Sequence, residues 1–285
     1  MKSRIIFQLT IQFLIVFICA CEKKTSTPDI VDSSPLIETK NITIPQVIEG
    51  DLVMRPVIIQ APNIIEPTKK YPVVFAFHGR GGTNTSWINT LSSYTNNGEF
   101  IGVYPQGFLE SWNLGQEPSK ADDVDFINLI VEELQNYTNL NFDKMYAIGT
   151  SNGSGMVNKL GIETSHFKAI APIVSQLMES SVLHSETQPI SVFQINGAAD
   201  SVIPINGGPK FGHVFLDAAE SARLWATHFN CNQNPEIVNI GDDTLYIYLE
   251  CNANKEIRYL RVENGGHGLL NSSMINDIWI FFQRF

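Results

Sequence analysis

The stretch from Lys144 to Met156, KMYAIGTSNGSGM, restricts the possible fold more than any other part of the chain. Met145 to Ile148 is a short apolar run of strand character, and Met156, Val157 and Leu160 beyond it follow helical spacing. Between them Gly149-Thr150-Ser151-Asn152-Gly153 fits the pattern G-x-S-x-G. A strand that becomes a helix within so few residues puts its central residue on a sharp, strained turn, where a side chain two positions to either side collides with neighbouring backbone. Glycine at 149 and 153 removes that collision. The turn lifts the Ser151 hydroxyl clear of the sheet and points the first N–H groups of the helix at the same space, which suits developing negative charge. In a chain with 20 glycines the pentapeptide could also be an ordinary turn, so the remainder of the chain has to supply an acid and a histidine in a matching order.

The surrounding pattern predicts a mostly parallel, doubly wound α/β sheet in a single domain. Tyr71 to Phe77 (YPVVFAF) is almost continuously apolar, as a strand buried on both faces must be, and it runs into the glycine-rich turn His78-Gly79-Arg80-Gly81-Gly82. Open α/β sheets place their ligands at that carboxyl edge. A helix over 84–96, a strand over 100–104, a loop over 105–120 and a helix over 122–137 follow. After the Ser151 turn come strands over 169–174 and 189–195 and a helix over 217–229. Segments 236–240, 245–250 and 257–262 read as hairpin-like strands or the last sheet strand, and 271–285 as a closing helix. Asp51 to Gln60 reads as an early edge strand, because Pro56 argues against a central position.

Asp200 directly follows the strand ending at Ile195, whereas Asp217, Glu220, Asp242 and Asp243 fall in a helix or a turn. Of the six histidines, His78, His166 and His184 precede Asp200, His228 lies in a helical pattern and His213 has no strand-to-helix loop around it. His267, in Gly265-Gly266-His267-Gly268 between the last strand and the last helix, remains. The order Ser151, Asp200, His267 suits a nucleophile, the acid that orients the base, and the base. Backbone N–H groups of Asn152 and Arg80 are the expected oxyanion donors.

The N-terminus has a different character. Lys2 and Arg4 precede an apolar segment ending at Ala20, with only 13–20 continuously apolar, which is the layout of an export signal and too short for a membrane-spanning helix. Ile18-Cys19-Ala20-Cys21 resembles a bacterial lipobox, which would make Cys21 a lipidated N-terminus. Residues 1–20 then form a lipoprotein signal peptide, 21–45, rich in Ser, Thr, Pro and charge, a flexible tether, and 46–285 the catalytic domain. Without the signal, 17 Lys and Arg face 29 Asp and Glu, which argues against nucleic acid as a partner. Cys231 and Cys251 form a disulfide in an exported chain or remain buried thiols. Neither lies beside a metal cluster, and no metal or other cofactor is expected.

Together PVVFAFHGRGG (72–82), VYPQG (103–107), SWN (111–113), DDVDFINLI (122–130), GTSNGSGM (149–156), INGAADSVIP (195–204) and GGHG (265–268) resemble the polyhydroxybutyrate depolymerase and feruloyl esterase group of α/β-hydrolases, the carbohydrate esterases of the first family. The resemblance implies the α/β-hydrolase fold, a Ser-His-Asp triad without cofactor, and a disulfide between Cys231 and Cys251. Thr150, Gly155, Ala198 and Gly268-Leu269 depart from the group's usual residues, so its substrates do not transfer directly. Trp112 either stacks on a sugar or aromatic acyl group or packs internally, and Asp122 and Asp123 either shape the pocket or cap a helix. The expected protein is a monomeric, lipid-anchored esterase of the bacterial cell envelope, removing feruloyl or acetyl groups from plant or algal polysaccharide. The alternatives are a polyester depolymerase and a glycan-binding lipoprotein that has lost catalysis.

Overall fold

The computed structural model describes residues 35–285, so the signal, the lipobox and Cys21 lie outside the described residues. In chain order the elements are β1 (Lys40–Ile48), β2 (Asp51–Gln60), β3 (Tyr71–Phe77), α1 (Ile88–Asn96), β4 (Ile101–Pro105), α2 (Asp123–Leu134), β5 (Leu140–Thr150), α3 (Asn152–Glu163), β6 (Ala169–Ile173) and β7 (Ser191–Gly197). They continue with β8 (Gly208–Lys210), β9 (His213–Phe215), α4 (Ala218–His228), β10 (Glu236–Ile240), β11 (Asp243–Tyr248), β12 (Ile257–Val262) and α5 (Ser272–Phe282). Ten strands form one sheet in the order β1-β2-β4-β3-β5-β6-β7-β12-β11-β10. The six from β4 to β12 run parallel, and antiparallel pairs extend the sheet at both edges.

Strand β3 shows why its sequence is so apolar. Val73, Phe75 and Phe77 pack into one core with α2, α3 and α4, through Phe126, Met156 and Trp225. Val74 and Ala76 face the opposite core with α1 and α5, through Leu91 and Trp279. Side chains that alternate between two covered faces leave no polar positions along the strand.

Two expectations are corrected at the first edge. Residues 40–45, expected within the tether, begin β1, where Ile44 is buried and Ile37 ahead of the strand has no exposed surface. Its antiparallel hairpin partner is β2, from Lys40 opposite Ile59 to Ile48 opposite Asp51. Consequently β2 is second in the sheet despite Pro56. The Pro56 carbonyl accepts from Gln106 N–H at 3.0 Å. A strand residue's N and carbonyl point the same way, so the position lacking a proton faces the end of β4, at Pro105, and no bond of the β1 ladder is lost.

The β8–β9 ribbon was not foreseen, and it stands over the carboxyl end of the sheet, where Met178 bridges to Phe215. Cys231 and Cys251 are joined in a disulfide that encloses the β10–β11 hairpin. Among the described residues no helix is long and apolar enough to cross a membrane.

Candidate active site

Ser151 sits between β5 and α3 with φ 56° and ψ −122°, a conformation costing a non-glycine residue about 1–3 kcal/mol. The surroundings hold it there. Its N–H donates to Ile173 O at 3.0 Å, and its carbonyl accepts from Ser154 and Gly155 N–H. A Cβ at Gly149 would strike the carbonyl of Gly153, and one at Gly153 the carbonyls of Phe77 and His78. The glycines therefore let α3 press against the ends of β3 and β5, as the motif implies. Helices α2, α4 and α5 are capped by the side chains of Asp122, Asp217 and Asn271. Ser151 occupies the equivalent position of α3, where serine ordinarily caps, yet its hydroxyl makes no capping bond.

That hydroxyl meets His267 instead. Ser151 Oγ lies 2.8 Å from His267 Nε2, and His267 Nδ1 lies 2.7 Å from Asp200 Oδ2. A carboxylate only accepts, so Nδ1 carries the proton and Nε2 is left bare to accept from the serine. Asp200 Oδ1 is held by Val202 and Ile203 N–H at 2.8 and 3.0 Å. The acid and histidine loops are tied together where Ala198 N–H donates to Val262 O and Ala199 N–H to Gly265 O. The sequence thus brings Ser151, Asp200 and His267 from three separate strand ends into one hydrogen-bonded line.

The turn after β3 forms the facing wall. His78 is buried; its Nε2 accepts from Gly107 N–H at 3.0 Å, so Nδ1 holds the proton and donates to Gly79 O at 2.7 Å. Burial lowers its pKa, which favours this neutral form. The backbone N–H groups of Arg80 and Asn152, the two expected oxyanion donors, have no acceptor among the described residues. Both residues line a cavity of about 410 Å³ together with Ser151 and His267.

Trp112, expected as a substrate contact, is corrected: it is fully buried and does not line the cavity. Its indole packs edge-on against Phe77 at 5.1 Å and donates to His78 O at 2.9 Å, while its backbone is clamped from both sides by the Asn152 carboxamide. Asp122 caps α2, accepting from Asp125 N–H at 3.0 Å. Asp123 neither caps nor lines the cavity: it pairs with the buried Arg55 at 2.7 Å and accepts from Asn113 N–H at 2.7 Å. Burial raises the Asp123 pKa against the opposing pull of Arg55.

Glu117, and His213, excluded as the base because no strand-to-helix loop surrounds it, also line the cavity. Glu117 accepts from His213 Nε2 at 3.0 Å, Arg80 at 3.1 Å, Asn152 at 3.3 Å and the N–H of Leu114 at 2.8 Å. Burial alone would push its pKa up, but the bonds from His213 and the backbone outweigh it and hold the carboxyl below its ordinary value. No period marks a residue of loop 105–120 as buried. His213 left a fainter trace, since Gly207-Gly208 and Gly212 bracket a short alternating run of hairpin type. The small Gly155 is also explained, because a Cβ there would strike Leu114, which fills that space from the loop.

A parallel sheet with the serine on a strand-to-helix turn, the acid after β7 and the histidine before the last helix is decisive for the fold. By fold, the chain is an α/β-hydrolase. An acetyl xylan esterase from Aspergillus awamori superposes with a TM-score of 0.61 at 14% identity, covering 85% of this chain and 99% of that one. A ferulic acid esterase from Anaeromyces mucronatus, bound to ferulic acid, superposes with a TM-score of 0.53 at 15% identity, covering 88% and 92%. In sequence the chain is similar to feruloyl esterase B of Piromyces equi, 25% identical over 248 residues, which is 81% of the chain and 45% of that protein. The chain spans less than two thirds of the length of the first curated relatives it matches. No family model matches it.

Proposed function

We propose that this protein is a serine carboxylic ester hydrolase that removes feruloyl or acetyl substituents from plant or algal polysaccharides. The observation that carries the reading is the hydrogen-bonded line from Ser151 through His267 to Asp200, opening on a cavity where two backbone N–H groups lack an acceptor. Similarity to feruloyl esterases and the likeness of fold to an acetyl xylan esterase support the ester class.

In the proposed mechanism His267 Nε2 takes the Ser151 proton as Oγ attacks the ester carbonyl carbon, and Asp200 stabilises the imidazolium through Nδ1. Arg80 and Asn152 N–H groups receive the negative oxygen, each contributing about 3 kcal/mol at sites of this kind. The imidazolium then protonates the departing alcohol, and a water deprotonated by His267 releases the acid from Ser151. The export signal and lipobox motivate a lipid anchor at Cys21 and a place in the cell envelope, where a tether suits an enzyme acting on extracellular polymer.

The test is hydrolysis of methyl ferulate, acetylated xylan, p-nitrophenyl acetate and polyhydroxybutyrate by the purified protein, with Ser151→Ala alongside. Serine-dependent turnover of the ferulate or xylan ester is expected. Turnover of the polyester alone would move the protein to depolymerases, and no serine-dependent turnover of any ester would overturn the enzymatic reading.

A further inference from the structure

Apart from Ser151 and His267, the cavity holds one built polar cluster. Glu117 comes from the loop before α2, His213 from β9, and Arg80 and Asn152 from the two sides of the expected oxyanion position. Glu117 is 1% exposed, and its carboxylate accepts from all three of the others and from the N–H groups of Leu114 and Gln116. A carboxylate held by so many donors is an anion. His213 Nε2 therefore carries a proton, and in the neutral form of the ring Nδ1 is the remaining acceptor. Nδ1 has no partner among the described residues, although His213 is only 6% exposed. An acceptor this secluded meets only what enters the cavity.

The depth of His213 limits what that can be. A polysaccharide continues at both ends and stays outside, so a pendant acyl group reaches this side chain and the sugar does not. The walls beside His213 are Leu114, Ile203 and Phe215, with Phe211 half exposed. Apolar walls with one fixed acceptor match an acyl group that has a flat apolar body and a hydroxyl. We propose that His213, oriented by Glu117, is a specificity-determining residue that accepts a hydrogen bond from a hydroxyl on an aromatic acyl group. The inference rests on the ester hydrolase reading and narrows it to hydroxyaryl over acetyl esters.

The experiment compares kcat/KM within two ester pairs: methyl p-coumarate against methyl cinnamate, which differ by the ring hydroxyl, and methyl ferulate against methyl 3,4-dimethoxycinnamate, in which that hydroxyl is methylated. The wild type is expected to favour the hydroxylated member of each pair by about 10- to 100-fold, the worth of one buried hydrogen bond whose acceptor is otherwise left empty. His213→Phe should bring each pair to near parity, and Glu117→Gln, which frees the ring to take its other tautomer, should shrink the preference. A wild-type ratio near one in both pairs overturns the proposal, whether or not the variants fold. Equal slowing of both members by His213→Phe also overturns it, because the residue would then only brace the wall. Turnover of p-nitrophenyl acetate that needs Ser151, without preference in either pair, removes the role of His213 and leaves the hydrolase reading standing. Turnover of no ester removes both.

Discussion

The two sides of the cavity are built by different means. On one side Ser151 stands on a turn fixed by main-chain packing, with glycines at 149 and 153 against the ends of β3 and β5 and Asp200 and His267 on the neighbouring strand ends. On the other side the loop over 106–122 and the short β8–β9 ribbon are held largely by polar side chains: Asp123, paired with Arg55, binds Asn113 N–H, Asn152 clamps Trp112, and Glu117 joins Arg80 and His213. The first arrangement rests on backbone packing and on the close approach that Gly149 and Gly153 permit. The second depends on single buried side chains, because an unpaired polar group there costs about 1–3 kcal/mol.

Substitutions on the two sides should therefore fail differently. The largest effect belongs to the strand-end side. Asp200→Asn keeps an oxygen for Val202 and Ile203 but no longer requires His267 to hold its proton on Nδ1, so kcat should fall about 10⁴-fold with the melting temperature little changed. Parallel loss of folding and activity would show that the two sides are not separable.

Next comes the cross-linked side. Arg55→Ala leaves Asp123 buried and uncompensated and removes the cation lying 3.6 Å over the Phe126 ring, so stability measured in urea should fall by about 3–5 kcal/mol. Reducing the disulfide, or replacing Cys231 and Cys251 by serine, should cost about 3 kcal/mol for a separation of 20 residues. Since Cys231 and Cys251 do not line the cavity, turnover per folded molecule should hold, and a changed KM would reveal coupling between that hairpin and the pocket.

The smallest effect, about 1–3 kcal/mol, belongs to Glu117→Gln, and it depends on pH. The folded carboxyl lies below its ordinary 4.5, so the stability it contributes is fully present above about pH 4.5 and is lost as pH falls through the folded value. The melting-temperature gap between wild type and Glu117→Gln should be widest near neutrality and close in acid. A gap constant from pH 7 to pH 3 would mean that the charge of Glu117 contributes nothing.

The legibility of each side in the sequence follows from the same contrast. Gly149 and Gly153, the apolar run of β3, and the order of Ser151, Asp200 and His267 are local patterns, and each can be read within a few residues of itself. Trp112 and Asp123 could not be assigned in that way. A tryptophan in a loop reads equally as packing or stacking until its indole is seen to donate to His78 O, and Asp123 looks like its capping neighbour Asp122 until Arg55, 68 residues earlier, is found against it. Pro56 misled because the rule that keeps proline at edges concerns which neighbour needs its N–H, and that neighbour is named only by the strand order.

By itself, then, the sequence determined the parallel sheet, the strained serine turn and the three residues that meet there, since strand periodicity and backbone sterics act over short distances. Only the tertiary structure decided that Trp112 is buried, that Glu117 gathers Arg80, Asn152 and His213, and that His213 Nδ1 has no partner among the described residues. Those facts depend on side chains brought together from as far as 96 residues apart, and no local pattern records which distant donor a buried carboxylate will find.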